Sequence, residues 1–363
     1  VQDTILVQHS TAGDERCSAP GLAKPSWFEK ENTMLAAFYD RFGSTDVLNL
    51  GDVPRPEPRQ SEVLVRIAAS GINPSDIKRR AGWRNATWPG HRIVPHCDGA
   101  GEVVEAGDEE SKRWLGQRVW IWSIPGRTFL REDIEYGTAA EFLAVPVNNL
   151  ARLPDNVDFA TGACLGVPAI TAHFTVFADG PVAGKTVLVQ GGGGAVGEAA
   201  IRMAKQAGAH VVSGARSPAR AMIAEAAGAD LVVDPTSHEA EARIREATPK
   251  GIDRLIEVDF GANIGFASRI IAPGGMIVSY SSTSQPEPII PYYGLQSKGA
   301  VIRLVSNYAL PMQRIQEATA HIEAMLEQGT LAPTIAVRLP LTAISEAHRA
   351  VEEGAIGKVV LTL

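Results

Sequence analysis

The stretch that most limits what this chain can fold into runs from Gly191 to Gly197 and reads GGGGAVG. An apolar, β-branched run, TVLVQ (186–190), precedes it, and a helical run, AVGEAAIRMAKQAGA (195–209), leads out of it. Strand, glycine turn, then helix is the start of a βα unit. The glycines supply the tight turn and let the backbone approach an anion at the helix N-terminus. Gly192, Gly194 and Gly197 satisfy G-x-G-x-x-G. Consecutive glycines make such a match easy, so the flanking strand and helix carry the reading, against the competing one of a flexible linker.

The surroundings extend that unit. From about 160 to 305, strand-like runs (HVVSGA, LVVD, RLIEV, GMIVSY, AVIRLV) alternate with helical ones (SPARAMIAEAAGA, HEAEARIREAT). Such alternation predicts an α/β domain with a doubly wound parallel sheet. From 34 to about 155 the chain is strand-rich, with short apolar runs between Pro and Gly clusters, as in a small β-barrel-like domain. The tail from 311 holds a helix, a strand, a helix and a last strand. Residues 1–33 show no period and read as an extension. A length of 363 residues agrees with two domains.

Composition excludes several classes of function. The formal charge is −7, which argues against a broad nucleic-acid or anionic-membrane footprint. Cys17, Cys97 and Cys164 are too few for a disulfide framework, which points to a reducing, cytoplasmic setting. No apolar run is long enough to cross a bilayer, and the first thirty residues lack the apolar core of a secretory signal.

The end of the next strand, HVVSGARSPAR (210–220), speaks to the cofactor. A site for NAD places Asp or Glu there, against the ribose hydroxyls. Here Arg216 and Arg220 stand instead, suited to a 2′-phosphate, so NADPH is expected over NADH. HRIVPHCDGAG (91–101) gathers His91, His96, Cys97 and Asp98. Their spacing fits no helical ligand pair and no other Cys or His is tied to them, so no metal is expected.

Taken together, the chain from Met34 to Leu363 resembles the medium-chain dehydrogenase/reductase superfamily, in its zinc-independent quinone oxidoreductase branch. The motifs are AASGINPSDIKRRAGW (68–83), PHCDGAGEVVEAG (95–107), GTAAEF (137–142), CLGVPAITAHFTVF (164–177), VLVQGGGGAVG (187–197), EVDFGAN (257–263), APGG (272–275) and GKVVL (357–361). The resemblance implies a GroES-like catalytic domain over 34–158, a Rossmann domain over 159–307 and a return to the first domain over 308–363. It also implies a nicotinamide cofactor in the cleft between them and a homodimer. Where zinc-dependent relatives place catalytic ligands, this chain has Asn73, Cys97 and, less securely aligned, Val167. Asn73 resembles the Asn beside the nicotinamide ribose and substrate, and Thr171 the Thr on the nicotinamide side. Gly194, Ala195 and Val196 would face the pyrophosphate, while Asp259 and Ser281 follow later strands at the sheet's carboxyl edge. Pro235 stands where some relatives have a Tyr near the adenine.

The expected reaction is hydride transfer from NADPH to a quinone or similar electron-poor carbonyl compound. The alternatives are an NADPH-dependent reductase of enones, enals or enoyl thioesters, which needs a placed proton donor, and a non-catalytic NADPH-binding protein. Tyr292 and Tyr293 are the candidate donors, and Trp83 and Trp88 are candidates to stack on a flat substrate. Asp76 reads as a loop cap and His173 as a satisfied helix residue.

Overall fold

The computed structural model describes residues 32–122, 129–306 and 309–363. The extension expected over 1–33 and Cys17 lie almost wholly outside them. Residues from Met34 to Leu363 form one compact unit.

The first half supplies β1 (Glu62–Ile72), helix α1 (Pro74–Arg80), β2 (Asp98–Ala106), β3 (Arg118–Trp122), β4 (Phe142–Pro146) and β5 (Leu150–Arg152). Helix α2 (Gly166–Val176) leads to the second sheet, which comprises β6 (Thr186–Gln190), β7 (His210–Gly214), β8 (Leu231–Val233), β9 (Ile252–Glu257), β10 (Ile271–Ser279) and β11 (Val301–Leu304). Its helices are α3 (Ala195–Gln206), α4 (Pro218–Ala226), α5 (Ala240–Ala247), α6 (Phe260–Ile270) and α7 (Tyr292–Gln296). The tail gives α8 (Met312–Glu327), β12 (Ile335–Pro340), α9 (Ile344–Glu352) and β13 (Lys358–Thr362).

The six strands of the second sheet run in the order β8-β7-β6-β9-β10-β11, every neighbouring pair parallel. This is the doubly wound sheet expected from the alternation, and the chain reverses its direction of growth beside β6, where the glycine loop begins. Both faces are covered, which is why its strands are apolar at consecutive positions. Val187, Val189, Val211 and Ile256 pack with α2, α3 and α8 on one face. Leu188, Val212 and Leu255 pack with α5 and α6 on the other.

The other large sheet runs β5-β3-β2-β1-β13-β12, with β4 also pairing with β1. Here β13, from the tail, lies antiparallel to β1, with Val359 opposite Ile72 and Leu361 opposite Ser70. That pairing brings Lys358, near the end of the chain, beside Asn73 at the start of α1.

Candidate functional site

A cleft of about 3200 Å³, open solvent at its mouth included, runs between the carboxyl edge of the six-stranded sheet and the region of α1 and β13. Of the residues singled out from sequence, Asn73, Thr171, Gly194, Ala195, Val196, Gly197, Arg216, Arg220, Asp259 and Ser281 all line it.

On the sheet side, the loop after β6 turns at Gly191, whose φ of 72° is the left-handed region that glycine occupies without steric cost. Gly194 is the N-cap of α3 and offers no side-chain acceptor. The first-turn N–H groups are therefore left for an anion, at the end of the helix where its dipole favours one. A Cβ at Gly197 would run into the Gly191 carbonyl, so the helix sits close against the loop only because that position is glycine. Gly192 does not line the cleft; it packs behind the loop against Ser213. These features suit a dinucleotide pyrophosphate.

Ser217 caps α4 through its hydroxyl, which accepts from the Arg220 N–H. Arg220 lies over the glycine loop, donating to the Gly193 carbonyl at 3.3 Å and, across the cleft, to the Gly354 carbonyl at 3.0 Å. Arg216 is exposed at the end of β7.

The opposite wall is a buried polar cluster around Asn73, which is 2% exposed. Its side-chain N–H donates to Asp98 Oδ2 at 2.7 Å, and its Oδ1 accepts from Lys358 Nζ at 2.7 Å. Lys358 Nζ also lies 3.5 Å from Asp98 Oδ2, and the Val167 N–H donates to Asp98 Oδ1 at 2.8 Å. Burial pushes the Asp98 carboxyl up, while the Lys358 ammonium, the Asn73 amide and the Val167 N–H pull it back. Sequence reasoning missed Lys358 as a site residue, although it lies within the quoted GKVVL motif.

Asp76 caps α1 as expected: its Oδ2 accepts from the Asn73 N–H at 2.8 Å. Burial raises its carboxyl to about 7. The candidate ligands between 91 and 98 are drawn apart. His91 meets Glu135, His96 meets His348, the Cys97 thiol donates to Asp76, and Asp98 meets Asn73 and Lys358.

Tyr292 and Tyr293 are not brought to the cleft. Leu295 anchors α7 in the core on the α6 face of the sheet, which leaves the two tyrosines 63% and 80% exposed against each other. Trp88 packs on Tyr39 and Phe42, while Trp83 lines the cleft. His173 is buried on α2 with Nδ1 unpartnered, so it is not the satisfied histidine expected.

Two family models match the chain: "Alcohol dehydrogenase GroES-like domain" over residues 59–155 and "Zinc-binding dehydrogenase" over 195–324. The quinone oxidoreductase of Sus scrofa is 31% identical over 328 residues, which cover 89% of this chain and 96% of that protein. The chloroplastic NADPH-dependent alkenal/one oxidoreductase of Arabidopsis thaliana is 29% identical, over 80% of this chain and 76% of its own length. Among solved structures, a mycobacterial quinone oxidoreductase superposes with a TM-score of 0.79 at 25% identity, covering 91% of this chain and 100% of its own. A mycobacterial structure complexed with NADPH gives 0.77 at 25% identity and the same coverage. The chain belongs to the medium-chain dehydrogenase/reductase superfamily, oxidoreductases that use a pyridine nucleotide, and within it to the zinc-independent quinone oxidoreductase branch.

Proposed function

We propose that this protein uses NADPH, without zinc, to reduce a quinone or similar electron-poor carbonyl compound. The observation that carries the reading is the pair Arg216, just past β7, and Arg220, in the first turn of α4, lining the cleft where an NAD site would hold a carboxylate. When bound, the nicotinamide supplies the hydride. The chain's own part is to hold and orient. The α3 N-terminus takes the pyrophosphate, the arginines take the 2′-phosphate, and Asn73, fixed by Asp98 and Lys358, sets the floor beside the reacting ring. Lys358 also bears on the metal: it places a fixed ammonium against Asp98, in a cluster whose hydrogen bonds are already spent within the protein.

The alkenal/one reductase reading draws support from the Arabidopsis relative. It loses the donors it leaned on, because both tyrosines lie outside the cleft. We take 34–158 with 308–363 as the catalytic domain and 159–307 as the nucleotide domain. Among the described residues no helix is long and apolar enough to cross a membrane. Two buried cysteines, Cys97 and Cys164, suit a cytoplasmic enzyme. We also propose a homodimer formed through β11, whose outer edge has no strand partner among the described residues and whose Leu304 is 74% exposed.

The cofactor reading is tested by Arg216→Glu. NADPH affinity is expected to fall by about a hundredfold while NADH affinity changes little, as when a charge-assisted contact is replaced by repulsion. Equal losses for the two cofactors, read by fluorescence titration, would refute the 2′-phosphate role.

A further inference from the structure

The chain is acidic overall, yet its cleft is not. Lys78, Arg79, Arg84, Arg216, Arg220 and Lys358 line the cleft, and Asp259 is the single carboxylate among the residues that do. Two of these cations are neutralised: Arg79 by Glu135 and Lys358 by Asp98. The other four have no carboxylate within 4.0 Å among the described residues. They form two pairs on opposite sides of the glycine loop. Arg216 and Arg220 follow β7. Lys78 reaches Thr283, just past β10, donating to its hydroxyl at 2.7 Å. In the sheet β7 lies to one side of β6 and β10 to the other. A dinucleotide with its pyrophosphate on the loop spreads both ways. Its adenosine end brings a 2′-phosphate to the first pair; its nicotinamide end brings no further anion to the second.

The second pair is nonetheless held close. Lys78 Nζ lies 4.8 Å from the centre of the Trp83 ring and Arg84 Cζ lies 4.3 Å from it, so one ring holds both cations. Burial lowers the Lys78 pKa; Asp259 raises it, and Arg84 lowers it further. Lys78 stands on α1, and the turn that carries Arg84 is held in the left-handed region at Arg84 (φ 60°) and Asn85 (φ 54°), a costly backbone for residues with a Cβ. Two repelling cations, one on α1 and one on a left-handed turn, gathered by one ring at the mouth of a reaction cleft, are a standing site for a negative group.

We propose that Lys78 and Arg84, positioned by Trp83, form a substrate subsite for an anion. The substrate is then a conjugated carbonyl compound that carries a carboxylate, sulfonate or phosphate away from its reducible bond. The inference rests on hydride transfer as the reaction of this cleft, and adds the charge of what is reduced.

Calorimetric titration of the full chain, saturated with NADP+, reads the subsite without turnover. The probes are 2-naphthalenesulfonate and the uncharged 2-naphthalenemethanol. The sulfonate is expected to bind about tenfold more tightly, the scale of two charge contacts near a protein surface. That advantage should vanish in the Lys78→Gln/Arg84→Gln variant and persist in Arg216→Gln. Equal affinities in the wild-type protein would overturn the subsite. So would an advantage that survives loss of Lys78 and Arg84, or one that disappears with Arg216. A parallel assay compares kcat/KM for 1,2-naphthoquinone-4-sulfonate and 1,2-naphthoquinone, whose ratio should fall by about the same factor in the double variant. No oxidation of NADPH by any quinone or enone would refute the reaction, while the titration would still decide the subsite.

Discussion

The resemblance pointed to Asn73, which lines the cleft; what holds it there was not legible in the sequence. Its partners Asp98 and Lys358 stand 25 and 285 positions away. Only the pairing of β13 with β1 brings Lys358 to it. A second chain of bonds steadies the same wall, and its direction follows from valence. Arg80 has only N–H groups to offer, so His348 Nδ1 accepts from it at 3.0 Å. The His348 Nε2–H then donates to His96 Nε2 at 2.9 Å. The His96 Nδ1–H donates to Ser70, Ser70 to Thr138, and Thr138 to the Asp98 carbonyl. Both rings are neutral, because burial and the neighbouring charges push them well below the ordinary histidine value, His348 to about 3. Within the site, Lys358 and Asp98 are 3% and 0% exposed, so each needs the other. Lys358→Met is expected to cost about 3–5 kcal/mol, mostly from stranding the Asp98 charge. Adding Asp98→Asn should recover part of that loss, because the stranded charge goes with it. Urea unfolding of the two single variants and the double variant gives the coupling; strictly additive losses would show that the pair does not act as one.

At the scale of elements, the β6–loop–α3 unit was readable because its evidence is local: strand, glycines and helix are contiguous. The same holds for Ser217 and Pro218 opening α4. Tyr292 and Tyr293 were misplaced because the segment PIIPYYGLQ follows β10, whose end does lie on the cleft. The direction of a five-residue helix is set by what anchors it, here Leu295, and not by its distance in sequence from a strand. Those tyrosines sit on the approach to β11, the sheet's outer strand. Leu304→Asp there should halve the mass found by light scattering while the single chain still folds, since the side chain is exposed on it; an unchanged mass would remove this edge as the dimer contact. Helix α2 carries a different prediction. Burial first, then His321 and Arg314, push His173 down from 6.5 to about 4. The unfolded chain therefore binds this proton more readily than the folded one. The stability it represents is complete above pH 6.5 and is lost as pH falls toward about 4. His173→Phe should make that acid slope shallower by about 1.4 kcal/mol per pH unit. Denaturant unfolding at a series of pH values measures the slope, and an unchanged one would mean the folded protein holds His173 charged.

Over the whole molecule, the alternation of strands and helices made the doubly wound sheet readable, whereas the nesting of the tail into the first sheet was implied only by the family motifs. Net charge is a coarser guide than the charges of the cleft. A total of −7 describes the surface seen from a distance, whereas the ligand meets four cleft cations with no carboxylate within 4.0 Å among the described residues. The two act over different ranges. Screening shortens from about 30 Å at 0.01 M salt to about 8 Å at 0.15 M. At low salt an approaching NADPH, itself anionic, feels both the repulsion of the acidic exterior and the attraction of Arg216 and Arg220. At physiological salt the distant charges fade before the near ones do. If the near pair dominates, NADPH binds more weakly as salt rises across that range, despite the like sign of protein and ligand. NADH, without the 2′-phosphate, should show a shallower dependence. The Arg216→Gln/Arg220→Gln variant should bring the two cofactors to the same slope. Affinity that tightens with added salt for NADPH would mean that exterior repulsion governs the encounter. The cleft arginines would then have to act only after the cofactor is seated.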